Sequence, residues 1–105
     1  MTQFSQVNID IAANIYFDGQ VTSRKIMFSD GTFKTLGIMM PGEYEFSTVE
    51  KELMEITAGN LDILLPEATQ WLTIKGGEHF YVPANARFKV KVKELTDYCC
   101  SYLSQ

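Results

Sequence analysis

The chain has 105 residues, of which 46% are apolar and 12% are aromatic. This composition predicts one globular domain and excludes an intrinsically disordered chain. The formal net charge of −4 provides no basic surface for a phosphate backbone, so we expect no nucleic-acid partner.

Strand signals recur along the sequence at intervals of about ten residues, which is typical of an all-β sandwich or barrel. Residues 1–13 alternate only weakly and predict an N-terminal arm or an edge strand, and residues 14–105 are predicted as the single domain. A lone helical turn is an alternative at 49–53 or at 66–70. The predicted strands are 15–17, 21–28, 35–40, 43–46, 52–57, 61–65, 71–74, 79–82, 87–93 and 98–103.

The two cysteines, Cys99 and Cys100, are neighbours in a β-prone segment. Adjacent strand residues point to opposite faces, so a disulfide between them would be strained, and we expect reduced, partly buried thiols. The sequence shows no secretory leader and no apolar run of about 20 residues, so we expect a cytoplasmic protein with no membrane partner.

The sequence contains few residues that could form a metal site. His79 is the single histidine, and a protein metal site needs three or more ligands. We therefore predict that His79 is a surface or hydrogen-bonded strand residue and not a metal ligand. Catalytic signatures such as GxSxG, HExxH and the P-loop are also absent from the sequence.

Residues 41–59 combine hydroxyls and carboxylates beside predicted strands, which favours a small-molecule site. Glu52, Met54 and Ile56 share one face of a strand because strand side chains alternate. If Met54 and Ile56 face the interior, Glu52 does too. A carboxylate placed there is costly unless it pairs or serves a ligand.

The same region, with residues 77–83, resembles the two sequence motifs of cupins. Glu52 and Gly59 match the glutamate and closing glycine of the first motif, and Gly77 and Pro83 match the glycine and proline of the second. The resemblance implies an all-β, RmlC-like jelly-roll β-barrel. Of the cupin metal ligands only the glutamate remains. The histidine positions are occupied by Phe46 and Thr48 (Glu45 and Ser47 in the alternative register) and by Phe88.

A narrower resemblance runs collinearly from Asn14 to Leu103 and is to the small bacterial pyrimidine/purine nucleoside phosphorylases of the cupin class. It implies phosphorolysis of nucleosides with broad base tolerance, phosphate as co-substrate, no metal and a homodimer. The matching pieces are Tyr16-Phe17-Asp18-Gly19, Pro41-Gly42-Glu43-Tyr44-Glu45-Phe46-Ser47-Thr48, Glu52 with Met54, Leu64-Leu65-Pro66 with Trp71, and Val82-Pro83-Ala84-Asn85.

The chemistry of phosphorolysis suits the residues of this region. Carboxylates stabilise an oxocarbenium-like transition state, so Glu52 and Glu50 are the candidate catalytic residues. Ser47 and Thr48 are candidate phosphate donors, and Arg24 could contribute a cation only if its strand lies beside Ser47. A pocket that accepts different bases needs a fitting shape and ring stacking more than specific hydrogen bonds. The candidate base-pocket residues are Tyr44, Phe46, Met54 and Phe88.

Three alternatives remain open from the residues alone. A non-catalytic, metal-free cupin would bind a nucleoside or sugar without turnover. A metal-dependent cupin would contain iron, manganese or zinc, and a nucleoside hydrolase would release the base without consuming phosphate.

Overall fold

The computed structural model describes residues 2–103, so residue 1 of the predicted arm and residues 104–105 of the predicted domain lie outside the described part. Nine antiparallel strands and one 3-10 turn at Phe17–Gly19 make up the described chain. The strands are β1 (Asn8–Ile9), β2 (Asn14–Tyr16), β3 (Val21–Met27), β4 (Phe33–Met39), β5 (Gly42–Ser47), β6 (Lys51–Leu64), β7 (Leu72–Lys75), β8 (His79–Val82) and β9 (Arg87–Leu103).

Two long strands, β6 and β9, form the ribbon on which the sheet is built. They pair from Lys51↔Leu103 to Leu64↔Lys89, with register shifts between Ile56 and Leu61. One half of the ribbon pairs with β4 and β8, and the other half pairs with β5 and β7. The outer strands β1 and β2 both pair with β3, which pairs with β4.

The two halves of the sheet enclose one hydrophobic core. The rings of Phe80 in β8 and Phe88 in β9 lie 6.1 Å apart and join the halves. Leu61, Ile63 and Val90 in the centre are at most 1% exposed. The predicted all-β fold is confirmed. The hydrogen-bonded ladder of residues 2–103 does not close into a complete barrel, so the cavity described below lies in an open, folded sheet.

The turn between β3 and β4 contains an Asp-Gly pair, a dipeptide typical of tight hairpin turns. Asp30 accepts hydrogen bonds from the backbone N–H of Thr32 at 2.9 Å and from its hydroxyl at 2.6 Å. Gly31 has φ of +89°, a left-handed conformation that favours glycine. The Asp-Gly pair therefore sets the β3–β4 register, in which Ser23 is opposite Gly37 and Lys25 is opposite Thr35.

Several predicted boundaries are wrong. The strands predicted at 52–57 and 61–65 are one strand, β6, and those at 87–93 and 98–103 are one strand, β9. The sequence predicts that the strand breaks at Gly59, but the pairing of β6 with β9 continues through the irregular segment around this residue. Neither 49–53 nor 66–70 is helical. Phe17, predicted as strand, has φ of +52° and so begins the turn instead.

Some side chains lie outside their predicted surroundings. Trp71, predicted as the first residue of a strand, precedes β7 and is 37% exposed, with the Lys91 ammonium 4.3 Å from its ring centre. Cys99 and Cys100 are free, buried thiols on opposite faces of β9, as predicted. No helix in the described part of the chain is long and apolar enough to cross a membrane.

Gly37 in β4 makes room for a tyrosine of the neighbouring strand. It pairs with Tyr98 of β9 and with Ser23 of β3. A Cβ atom at position 37 would lie 2.7 Å from the ring and hydroxyl of Tyr98 and would also overlap the carbonyl oxygen of Thr22. The tyrosine side chain therefore lies across the backbone of β4, and its hydroxyl donates to that carbonyl oxygen at 3.4 Å.

Gly37→Ala should destabilise the protein by about 1–3 kcal/mol, because the added methyl group must displace the Tyr98 ring or the β3 backbone. The free energy of unfolding in urea is the measurement. Gly76→Ala is the matched control, since a Cβ there would lie 3.2 Å from its nearest neighbour and should cost less. Equal losses in the two variants would contradict the packing described for Gly37.

Candidate active site

A cavity of about 230 Å³ lies between the two halves of the sheet. Both halves contribute side chains, so the cavity exists only when the sheet folds over. Five of the eight predicted site residues line it: Phe46, Ser47, Glu52, Met54 and Phe88. The remaining lining residues are Tyr16, Val21, Ser23, Thr35, Met39, Phe80, Val90, Tyr98, Cys100 and Tyr102.

Glu52 faces this cavity, as strand parity predicts. It lies in β6 between Tyr102 of β9 and Val82 of β8, and Met54 lines the same cavity two residues later. Burial raises the pKa of the Glu52 carboxyl, the hydrogen bond with the Cys100 thiol acts in the opposite direction, and Glu50 adds a further upward contribution. The cavity thus holds a single, half-buried acid.

Aromatic and apolar side chains form one wall of the cavity. The ring centre of Phe88 lies 5.6 Å from that of Phe46 and 6.1 Å from that of Phe80. Phe46 also contacts Phe17 edge-on at 5.6 Å. Together with Met54, these rings present flat apolar faces, which suit stacking against a planar heterocycle.

A second wall is polar, and the sequence reasoning missed it. Ser23 of β3, Thr35 of β4 and the residues Tyr98, Cys100 and Tyr102 of β9 also line the cavity. The hydroxyls of Thr35 and Tyr102 lie 3.2 Å apart, and Asn14 donates to the Ser23 hydroxyl at 3.2 Å. Burial raises the pKa of both tyrosines and of Cys100, so they remain neutral donors.

One sequence signal points to part of this polar wall. Tyr98, Cys100 and Tyr102 alternate along β9 and so share a face. Ser23 and Thr35 carry no such signal, because small hydroxyl residues are equally common on the outer face of a sheet. Strand pairing brings the two residues to the cavity: Thr35 is opposite Cys100, and Ser23 is opposite Gly37.

Three predicted site residues do not line the cavity. Tyr44 is buried, and its hydroxyl donates to the Met40 carbonyl oxygen at 2.6 Å. Thr48 is also buried; its hydroxyl donates to the Pro83 carbonyl oxygen at 2.6 Å and accepts from the Ala86 N–H at 3.1 Å. Glu50 does not line the cavity either, and its negative charge raises the pKa of the Glu52 carboxyl.

Both arginines lie outside the cavity. Arg24 is exposed, because it follows the cavity-facing Ser23 and so points to the other face of β3. Arg87 is also exposed and pairs with Glu45 at 3.7 Å. His79 is exposed in β8, as predicted. Within residues 2–103 there is no group of three or more metal-ligating side chains.

Comparison with known proteins identifies the family of this chain. A family model described as pyrimidine/purine nucleoside phosphorylase matches residues 11–102. The chain belongs to this family. Proteins of that name from Sulfurovum sp. and Colwellia psychrerythraea are 62% and 61% identical to it. The alignments cover 98% and 99% of this chain and 100% of both relatives.

Solved structures of other proteins have the same fold as this chain. A protein of unknown function from Acinetobacter sp. superposes with a TM-score of 0.93 at 36% identity, over 96% of this chain and 98% of that one. An RmlC-like cupin from Shewanella frigidimarina superposes with a TM-score of 0.69 at 13% identity, over 95% of this chain and 86% of that one. The second likeness shows that this chain has the cupin fold.

Glu52→Gln should stabilise the protein at neutral pH. Burial raises the folded-state pKa of Glu52 above its ordinary 4.5, so the folded chain holds this proton more tightly than the unfolded chain does. The resulting stability is fully present below the unfolded pKa and is lost as the pH rises through the folded pKa. The glutamine variant avoids this loss at pH 7.

Urea unfolding of the wild type and of Glu52→Gln at pH 7 and at about pH 4 measures this effect. The advantage of the variant should be present at pH 7 and should shrink toward zero at the lower pH. Glu43→Gln, which changes an exposed residue of β5, is the control. A pH-independent difference between the wild type and Glu52→Gln would show that Glu52 is not the titrating group.

Thr48→Val should destabilise the protein by about 1–3 kcal/mol, because it leaves the Ala86 N–H and the Pro83 carbonyl without their partner. Thr48→Ser retains the hydroxyl and should recover most of this loss. Thermal or urea unfolding is the measurement. Ser47→Ala, at the mouth of the cavity, should leave stability close to that of the wild type. Unchanged stability of Thr48→Val would remove the structural role assigned to Thr48.

Proposed function

We propose that this protein catalyses the phosphorolysis of purine and pyrimidine nucleosides. The observation that carries the proposal is the full-length match to pyrimidine/purine nucleoside phosphorylases, together with a cavity that pairs one half-buried acid with an aromatic wall. A nucleoside needs both surfaces, because its base is flat and its pentose is rich in hydroxyls.

In this reaction a phosphate oxygen attacks C1′ of the pentose and forms the new C–O bond. The glycosidic C1′–N bond breaks, and its electron pair leaves with the base, which takes up a proton. The products are the free base and pentose 1-phosphate. The pentose passes through an oxocarbenium-like transition state, which carries positive charge near C1′.

We assign the stabilisation of this positive charge to Glu52. It is the one carboxylate among the residues that line the cavity, and its partly buried position strengthens its interaction with a developing cation. The carboxylate also accepts hydrogen bonds from pentose hydroxyls. Glu50 acts from outside the cavity by its charge, since it raises the pKa of Glu52.

The base lies, in this proposal, against Phe46, Met54 and Phe88. Stacking against rings and a thioether recognises flatness and not a particular pattern of donors and acceptors. This recognition allows purines and pyrimidines to share the site. Ser47 at the mouth of the cavity is a hydrogen-bond donor for the incoming substrates. Tyr44 supports this wall from behind, with its ring 6.1 Å from that of Phe46.

We further propose that the protein works as a cytoplasmic homodimer without a metal or another cofactor. Two free, buried cysteines fit a reducing compartment. Ile11 and Ile15 near the N-terminus are 95% and 67% exposed, which is an apolar surface that a second subunit would cover.

The test is incubation of the purified protein with inosine or uridine and inorganic phosphate. We expect the free base and pentose 1-phosphate in equal amounts, with a rate that depends on the phosphate concentration. Glu52→Gln should lower kcat by about 10²-fold, because a transition-state interaction is removed. Arg87→Gln is a control outside the cavity that removes a surface charge.

The other outcomes separate the rival functions. Release of base without consumption of phosphate would indicate a hydrolase, and saturable nucleoside binding without turnover would indicate a binding protein. Either result would reject phosphorolysis.

A further inference from the structure

The charge of the cavity lining does not complement that of the phosphate co-substrate. The co-substrate is an anion, yet the residues described as lining the cavity include one carboxylate and no lysine or arginine. Neutral hydroxyls donate weaker hydrogen bonds to an anion than cationic groups do. A cation at the edge of the cavity would balance both Glu52 and the phosphate.

Lys25 is placed to be that cation. It pairs with Thr35 across the β3–β4 ladder, and Thr35 lines the cavity, so the two residues share the interior face of the sheet. The same row continues through Cys100 and Met54 to Phe80, all of which line the cavity. Lys25 therefore stands at the β3 end of the row that forms the cavity floor.

The position of its ammonium group is defined by contacts. Nζ of Lys25 lies 4.5 Å from the ring centre of Phe33. The Phe33 ring lies 5.0 Å from that of Tyr102, whose hydroxyl is 3.2 Å from the hydroxyl of Thr35. A chain of contacts thus runs from the ammonium through the Phe33 ring to the two hydroxyls, and Thr35 and Tyr102 line the cavity.

Several other cations are engaged elsewhere: Lys51 lies over the Tyr81 ring at 5.2 Å, Lys93 pairs with Asp62 at 3.1 Å, and Arg87 pairs with Glu45. Lys34 neighbours Thr35 on the opposite face of β4, and its ammonium lies over the rings of Phe4 and Phe28. Lys91 alternates with the buried Val90 and Val92 of β9 and lies over Trp71.

We propose that Lys25, together with the hydroxyls of Thr35 and Tyr102, forms the phosphate subsite. This inference rests on the proposed phosphorolysis and names the residues that bind its second substrate. The ammonium and the two hydroxyls donate to phosphate oxygens. The contact with Phe33 holds the ammonium beside the cavity in the absence of the anion. Glu52, opposite Tyr102 in the neighbouring strand, is left for the pentose.

Lys25→Gln tests the subsite against a matched control on the same strand. Arg24→Gln removes the same charge one residue away, from the outer face of β3. At saturating nucleoside, Lys25→Gln should raise the phosphate KM by about tenfold or more, whereas the nucleoside KM should change little. Arg24→Gln should leave the phosphate KM within about twofold of wild type. Lys25→Arg should recover much of the lost affinity, and Tyr102→Phe should raise the phosphate KM to a smaller extent.

A phosphate KM of Lys25→Gln within about twofold of wild type would overturn the subsite and leave phosphorolysis intact. An equal rise in Lys25→Gln and Arg24→Gln would also overturn it, because the effect would then come from net charge. If the wild type makes no pentose 1-phosphate, the proposed function fails instead. Binding of inorganic phosphate to the wild type and the two variants, measured by ³¹P NMR, then still decides the role of Lys25.

Discussion

The bend in the β6–β9 ribbon is the constraint on which the rest of the molecule depends. Gly59 has φ of +134°, and a Cβ there would lie 2.8 Å from Cα of Thr96 in the facing strand. The two backbones approach this closely only because position 59 has no side chain. The register shifts beside it let one continuous ribbon serve both halves of the sheet, so the halves face each other across a single core.

The chemistry of the cavity follows from that folding. One half of the sheet provides hydroxyls, a thiol and the Glu52 carboxyl, and the other half provides the rings of Phe46 and Phe88. The polar residues of one half and the rings of Phe46 and Phe88 of the other therefore line the same cavity, an arrangement that no single strand could define. In the family to which this chain belongs, such a cavity suits a substrate with a flat base at one end and a hydroxylated, phosphate-accepting pentose at the other.

Strand parity explains which parts of the site were predictable. Glu52 and Met54 were placed correctly because two apolar neighbours of the same parity define an interior face. Thr48 was predicted from its hydroxyl alone, and the structure uses that hydroxyl to fasten the loop after β5 to the Pro83–Ala86 turn. Arg24 could not be placed from the sequence, because β3 carries buried residues on both faces.

The sequence by itself determined the all-β cupin fold, most strand positions, the β3–β4 hairpin and the inward direction of Glu52. These features depend on local patterns: alternation, turn residues and a collinear family resemblance. Only the tertiary structure decided that β6 and β9 are continuous, that the sheet stays open, and that Ser23, Thr35, Tyr98 and Tyr102 share one cavity. Those features depend on which strands pair and in what register, and pairing between distant segments leaves no mark on the residues of either strand alone.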